Sequence, residues 1–116
     1  MFDIQARQVW LAAGATDMRK SIDGLSAIAQ YTIGKNPLEA HLFAFCSKDQ
    51  SRIKLLYWDR NGFWLFYKRL EKGTFRWPAK AEEALCITRS QLSWLLDGLS
   101  IEQASAHRPL HATLAA

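Results

Sequence analysis

The side chains that could carry out chemistry in this chain are few and scattered. Two-metal phosphoryl transfer needs three carboxylates converging on the metals, and the candidates are Asp17, Asp23 and Asp59. Asp17 and Asp23 lie on or beside one helix-forming run and Asp59 lies in a tight turn. A helix cap, an i,i+4 partner for Arg19 and a turn-forming side chain account for them. His41 heads a strand-like run, and Pro109 between His107 and His111 breaks the helix that would bring those two together. Cys46 and Cys86 stand forty positions apart with no CxxC or Cys/His spacing around either, so no zinc site of standard spacing is expected. There is no local Ser/His/Asp or Cys/His signature and no glycine-rich phosphate loop. The residues therefore point away from catalysis and imply neither a metal nor a cofactor.

Cationic side chains carry the other possible chemistry. The chain has 116 residues and a formal net charge of +4, a total that conceals a contrast. Residues 1–47 sum to zero and residues 81–116 to −2, while residues 48–80 hold nine basic against three acidic side chains, or +6. The same stretch holds three of the five tryptophans, Trp58, Trp64 and Trp77. Clustered Lys and Arg attract phosphates and release counterions on contact, which gives salt-dependent affinity without base recognition. On this reading Arg52, Lys54, Arg60, Lys68, Arg69, Lys72 and Arg76 are the candidate nucleic-acid contacts. The competing account is that Lys and Arg keep a sheet soluble and blunt its edges while the aromatics fill its core.

The elements that must position these residues can be read from the hydrophobic pattern. Gln8 to Ala13 reads as a short strand closed by Gly14. Thr16 or Asp17 can then cap a helix whose stripe is Met18, Ile22, Leu25, Ala29 and Ile33, stopped by Gly34 and Asn36-Pro37. His41–Cys46, Arg52–Trp58, Phe63–Leu70 and Thr74–Trp77 read as strands, with Asn61-Gly62 suited to a tight hairpin and Pro78 ending the last strand. Thr88 and Gln91 match a capping box ahead of a helix lined by Leu92, Leu95, Leu96 and Leu99 and stopped by Gly98. The expected fold is a single α+β domain over residues 1–103. In it, an antiparallel β-meander of four to five strands packs against an amphipathic helix, a short C-terminal helix follows, and residues 104–116 form a flexible tail.

With an apolar fraction of 49% and 22% charged residues, the chain is far from the signature of disorder. The N-terminal residues lack the basic start and apolar run of a signal peptide, and no apolar run is long enough to span a membrane. A cytoplasmic protein with reduced, inert cysteines is expected.

Strand alternation limits the cationic patch, because Lys68 shares a face with Trp64 and Phe66 while Arg69 shares the other with Leu65 and Tyr67. Arg19 and Lys20 fall in the expected first turn of the first helix, where the dipole disfavours cations. An anion using the helix amides and both side chains would make a second, smaller site there, the alternative being an Arg19–Asp23 pair with Lys20 solvated. An aromatic surplus exposed as an apolar patch would instead bind a protein partner or a second copy of the chain, with Trp58, Trp64 and Trp77 as candidate anchors or base-stacking rings.

Several runs carry a wider likeness. GATDMRKSIDGLSAI at Gly14–Ile28, HLFAF at His41–Phe45 and RIKLLYWDRNGFWLFYKRLEKGTFRWP at Arg52–Pro78 closely resemble the TnpB accessory protein, the second open reading frame of the insertion-sequence 66 transposon family. The likeness runs roughly from Gln8 to Gly98. It implies a small protein encoded beside a separate transposase and needed for efficient transposition; together with the charge and aromatic patterns, it makes the transposon DNA, the cognate transposase and the element's other accessory protein the expected partners. It does not imply the RNA-guided nuclease that shares the TnpB name. The chain departs from the pattern at two turns. Ser47–Ser51 replaces a turn that is usually Arg-rich, and Arg60 stands where the family tends to have Gly.

Overall fold

The computed structural model describes residues 5–78 and 84–102. The chain runs through β1 (Val9–Ala15), α1 (Ile22–Ile28), a π-helical turn (Ala29–Ile33), β2 (Leu42–Cys46), β3 (Arg52–Asp59), β4 (Gly62–Arg69), β5 (Leu85–Ile87) and α2 (Arg89–Leu96). The five strands form one sheet in the order β4-β3-β2-β1-β5. The α+β fold is as expected, a mostly antiparallel sheet with two helices. The meander proper is β2, β3 and β4, with Leu42 opposite Tyr57 and Tyr57 opposite Trp64. β1 enters parallel to β2, with Val9 opposite Leu42, because α1 and its π-helical extension form the crossover between them.

Each face of the sheet is covered by a helix. Leu25 and Ala29 bury against Ala12, Phe43, Phe45 and Leu56 on one face. Leu92 and Leu95 of α2, with Phe75 and Trp77, bury against Val9, Leu11, Ala44, Ile53 and Leu55 on the other. β2 lies in the middle, so all five of its residues, LFAFC, are buried and alternation disappears. The Cys46 thiol is fully buried and pushed up to about 11, chiefly by that burial, so it stays protonated.

Three elements differ from the sequence expectation. α1 begins at Ile22 after Ser21, so Thr16 and Asp17 do not cap it and Arg19 and Lys20 precede it. The helical ladder opens with Leu25 N donating to Ser21 O at 2.9 Å. The cause lies upstream: Thr16 N is held by Cys46 O at 2.7 Å, and the Met18 and Lys20 carbonyls are both taken by Lys54 Nζ at 2.8 Å. Thr74–Trp77 is not a strand. Phe75 and Trp77 are core side chains, with Phe75 N donating to Gln50 O at 2.7 Å and Trp77 Nε1 to Ala12 O at 3.1 Å. The fifth strand is instead Leu85–Ile87, antiparallel to β1, and at three residues it is too short to show a period.

The second helix follows its sequence signals. Gln91 N donates to Thr88 Oγ1 at 3.0 Å and Thr88 N to Gln91 Oε1 at 2.9 Å, the reciprocal bonds of a capping box. Gly98, at φ +89°, ends the helix in the left-handed region. The tail expected from residue 104 lies outside the described residues. Among the described residues no helix is long and apolar enough to cross a membrane.

Candidate nucleic-acid interface

β3 and β4 carry most of the candidate cations, and their register decides where each one goes. Arg52 pairs with Arg69, Lys54 with Tyr67, Leu56 with Leu65 and Trp58 with Phe63, all on the α1 face. Ile53 pairs with Lys68, Leu55 with Phe66 and Tyr57 with Trp64 on the α2 face. Lys68 and Arg69 therefore leave the sheet on opposite sides, as alternation requires.

Two of the cations are engaged by backbone. Lys54 Nζ donates to the carbonyls of Met18 and Lys20, both at 2.8 Å, and ties the turn before α1 to the sheet. Lys68 Nζ donates to Leu96 O at 2.9 Å, at the C-terminus of α2, where the orphan carbonyls and the dipole both favour a cation. Arg60 lies at the far end of the hairpin, an eight-residue strand away, or roughly 26 Å from Arg52 at about 3.3 Å per residue. Arg60 also takes the positive φ of the turn, +56°, a conformation that costs a side-chain-bearing residue energy. Arg76 is exposed between buried Phe75 and Trp77.

The remaining cations meet at one end of the sheet. Thr16 N bonds to Cys46 O, which sets the turn carrying Asp17, Arg19 and Lys20 beside the turn at 47–51. Ser47 N donates to Arg52 O at 2.9 Å, and Leu70 N donates to Ser51 O at 2.8 Å. These bonds draw the start of β3, the end of β4 and the 70–73 turn to the same place. Arg19, Lys20, Lys48, Arg52, Arg69 and Lys72 thus share one end, among the carboxylates Asp17, Asp49 and Glu71. The two sites that looked separate in sequence, Arg19/Lys20 and the basic central stretch, belong to one surface. Lys48, part of the basic stretch but not among the candidate contacts, joins them because its turn lies beside the others.

The carboxylates here are already hydrogen-bonded. Asp17 takes the Arg19 guanidinium, with Nη2 to Oδ2 at 2.8 Å, and Arg19 N at 2.9 Å; these bonds hold its carboxyl well below the usual range. Arg19 therefore pairs with Asp17 rather than Asp23. Glu71 accepts from Arg69 Nη2 at 2.9 Å, which raises the proton affinity of Arg69. Asp49 Oδ1 accepts from Ser47 Oγ, Ser51 Oγ and Ser51 N, and its carboxyl is lowered to about 2 by those bonds.

The three candidate tryptophans separate. Trp77 is core, 6% exposed, and faces no partner. Trp58 is half-buried and meets Phe63 edge-on, with ring centroids 5.0 Å apart. Trp64 is 43% exposed on the α2 face, stacks on Phe66 and donates Nε1 to Asp59 Oδ2 at 3.3 Å. Asp59 lies at the opposite end of β3 from Asp17, and among the described residues no cluster of three or more His, Cys, Asp or Glu could hold a metal.

Residues 7–106 match the family described as IS66 Orf2 like protein. The chain is 40% identical over 92 residues to uncharacterized protein y4hO of Sinorhizobium fredii, covering 79% of this chain and 80% of the relative. It is 30% identical over 92 residues to uncharacterized protein y4jC of the same organism, covering 79% of each chain. No solved structure matches the chain significantly.

Proposed function

This chain belongs to the IS66 Orf2-like family, and from that premise we propose that it is a non-catalytic accessory protein of DNA transposition that contacts nucleic acid through the cationic end of its sheet. The observation that carries this reading is the convergence of Arg19, Lys20, Lys48, Arg52, Arg69 and Lys72 from four separate segments. Arg52 and Arg69 are directly opposed across β3 and β4, an arrangement that is unfavourable in isolation and that a bound phosphate would relieve. The exposed Arg19–Asp17 and Arg69–Glu71 pairs are no obstacle. Ion pairs at the surface are weak and screened by salt, so a phosphate can replace the carboxylate at little cost. Such contacts fix position on a backbone and carry no base readout.

Titration of labelled DNA with the purified chain between about 50 and 200 mM salt tests the reading. Four to six phosphate contacts should make log K fall with log salt at a slope of about −3 to −5. Arg52→Gln and Arg69→Gln should each flatten that slope by about 1. Absent binding, or binding indifferent to salt, would sink the proposal.

A second reading has its own support. β4 is an edge strand with none of its residues fully buried, and Trp64 and Tyr67 are exposed. Edge strands of this kind recruit protein partners. On this account the chain binds the cognate transposase, the element's other accessory protein or a second copy of itself. Co-elution with purified transposase that Trp64→Ala abolishes while the fold survives would favour it; no co-elution in mild salt would count against it.

A further inference from the structure

Five large apolar side chains are exposed among the described residues: Tyr31, Leu38, Trp64, Tyr67 and Leu99. Of these, Tyr67 is the one set into the cationic end. Tyr67 is 54% exposed and lies on the α1 face of β4, directly opposite Lys54. Lys54 Nζ lies 5.8 Å from the ring centroid and is fixed there by the carbonyls of Met18 and Lys20. Arg69 is two residues along the same face, and Arg52 is diagonal to Tyr67 across the strand pair, within reach of a long side chain. An aromatic ring held open to solvent among cations is the arrangement that binds unpaired strands, in which bases stack on rings while the backbone tracks positive charge. A duplex keeps its base faces stacked on one another and offers such a ring only base edges, sugar and phosphate.

We propose that this end takes single-stranded DNA, with one base stacked on Tyr67 and the flanking phosphates held by Arg52, Arg69 and Lys20, and that it prefers an unpaired strand to a duplex of equal length. This rests on the reading of the cationic end as a nucleic-acid interface. Tyr67, rather than Trp58, Trp64 or Trp77, is then the stacking residue. The tryptophans are the sequence candidates because they lie in the basic central stretch, but Trp77 is buried, Trp58 is half-buried against Phe63, and Trp64 faces the α2 side.

The test is fluorescence anisotropy with a labelled mixed-sequence single strand and its duplex, for the full chain and for Tyr67→Ala and Tyr67→Phe. Stacking on one ring is worth about 1 to 3 kcal/mol per base, so Tyr67→Ala should weaken single-strand binding by roughly 5- to 150-fold. Duplex binding should hold, and Tyr67→Phe should retain the preference. Circular dichroism checks the fold, and Tyr67→Thr, which suits a strand, replaces the alanine variant should that unfold. Equal or tighter duplex binding by the parent chain overturns the proposal. So does a Tyr67→Ala variant that matches the parent on single strands or weakens both probes alike. Salt-dependent duplex binding with no Tyr67 effect leaves the interface standing and removes only this inference; absent binding to either probe removes both.

Discussion

Lys54→Met separates a structural role from a phosphate contact at the residue where the two accounts differ most. Methionine keeps the length and apolar stem of lysine, so packing along the α1 face changes little. The substitution removes two hydrogen bonds from a charged donor, each 2.8 Å long, to Met18 O and Lys20 O. Bonds to a charged group contribute about 1.5 to 3 kcal/mol each when buried. Here one is part-buried and the other exposed, and water can replace much of what is lost, so a total of about 1 to 2 kcal/mol is expected. For a chain of this size that corresponds to a fall in Tm of roughly 4–10 °C. Thermal melts followed by circular dichroism measure the first quantity, and the slope of DNA affinity against salt measures the second. The expected pattern is lower stability with the slope nearly unchanged, because the Lys54 ammonium is occupied. Unchanged Tm with a slope flattened by about 1 would show the reverse, that Lys54 releases a counterion and does not anchor the turn before α1.

Three further outcomes follow from the geometry. Arg60→Gly should stabilise the chain by about 0.5–1 kcal/mol, since relief of the left-handed conformation at φ +56° outweighs the entropy glycine adds to the unfolded state; a denaturant midpoint at or below the parent's refutes this. Trp77→Phe should cost about 1–3 kcal/mol by leaving the buried Ala12 carbonyl without its 3.1 Å donor, and a neutral result would remove Trp77 from the core hydrogen-bond network. The Asp49 carboxyl sits at about 2 when folded against an ordinary 3.8. It therefore contributes stability that is complete above about pH 4 and lost as pH falls towards about 2. Asp49→Asn should flatten acid unfolding in that window, and an identical acid profile for the two chains would show that the Ser47–Ser51 turn does not depend on the charge.

The sequence was most legible where one local rule governs one element. The capping box at Thr88 and Gln91, the stop at Gly98 and the Asn61-Gly62 hairpin region all appear in the fold, because each depends on neighbours within four residues. Even there the tertiary context changed a detail: the positive φ of the hairpin turn falls on Arg60, the position where the resembled family tends to have Gly. The start of α1 is set by tertiary contact and not by local propensity: Lys54, 34 residues downstream of Lys20, takes two of the carbonyls that an earlier start would need. Thr74–Trp77 has strand chemistry but sends only Phe75 and Trp77 into the core, without joining the ladder.

The residues alone determined that the basic excess is central, that consecutive Lys68 and Arg69 part to opposite faces, and that no catalytic constellation has local spacing. Alternation along a strand and charge counting are one-dimensional properties, so a linear string contains them. Which cations are available to a partner is a property of the tertiary structure. Backbone carbonyls from distant segments take Lys54 and Lys68, the length of the hairpin carries Arg60 away, and the pairing of β1 with β2 brings Arg19 and Lys20 beside Arg52 and Arg69. Electrostatic attraction depends on separation in space, and only the folded sheet sets those separations.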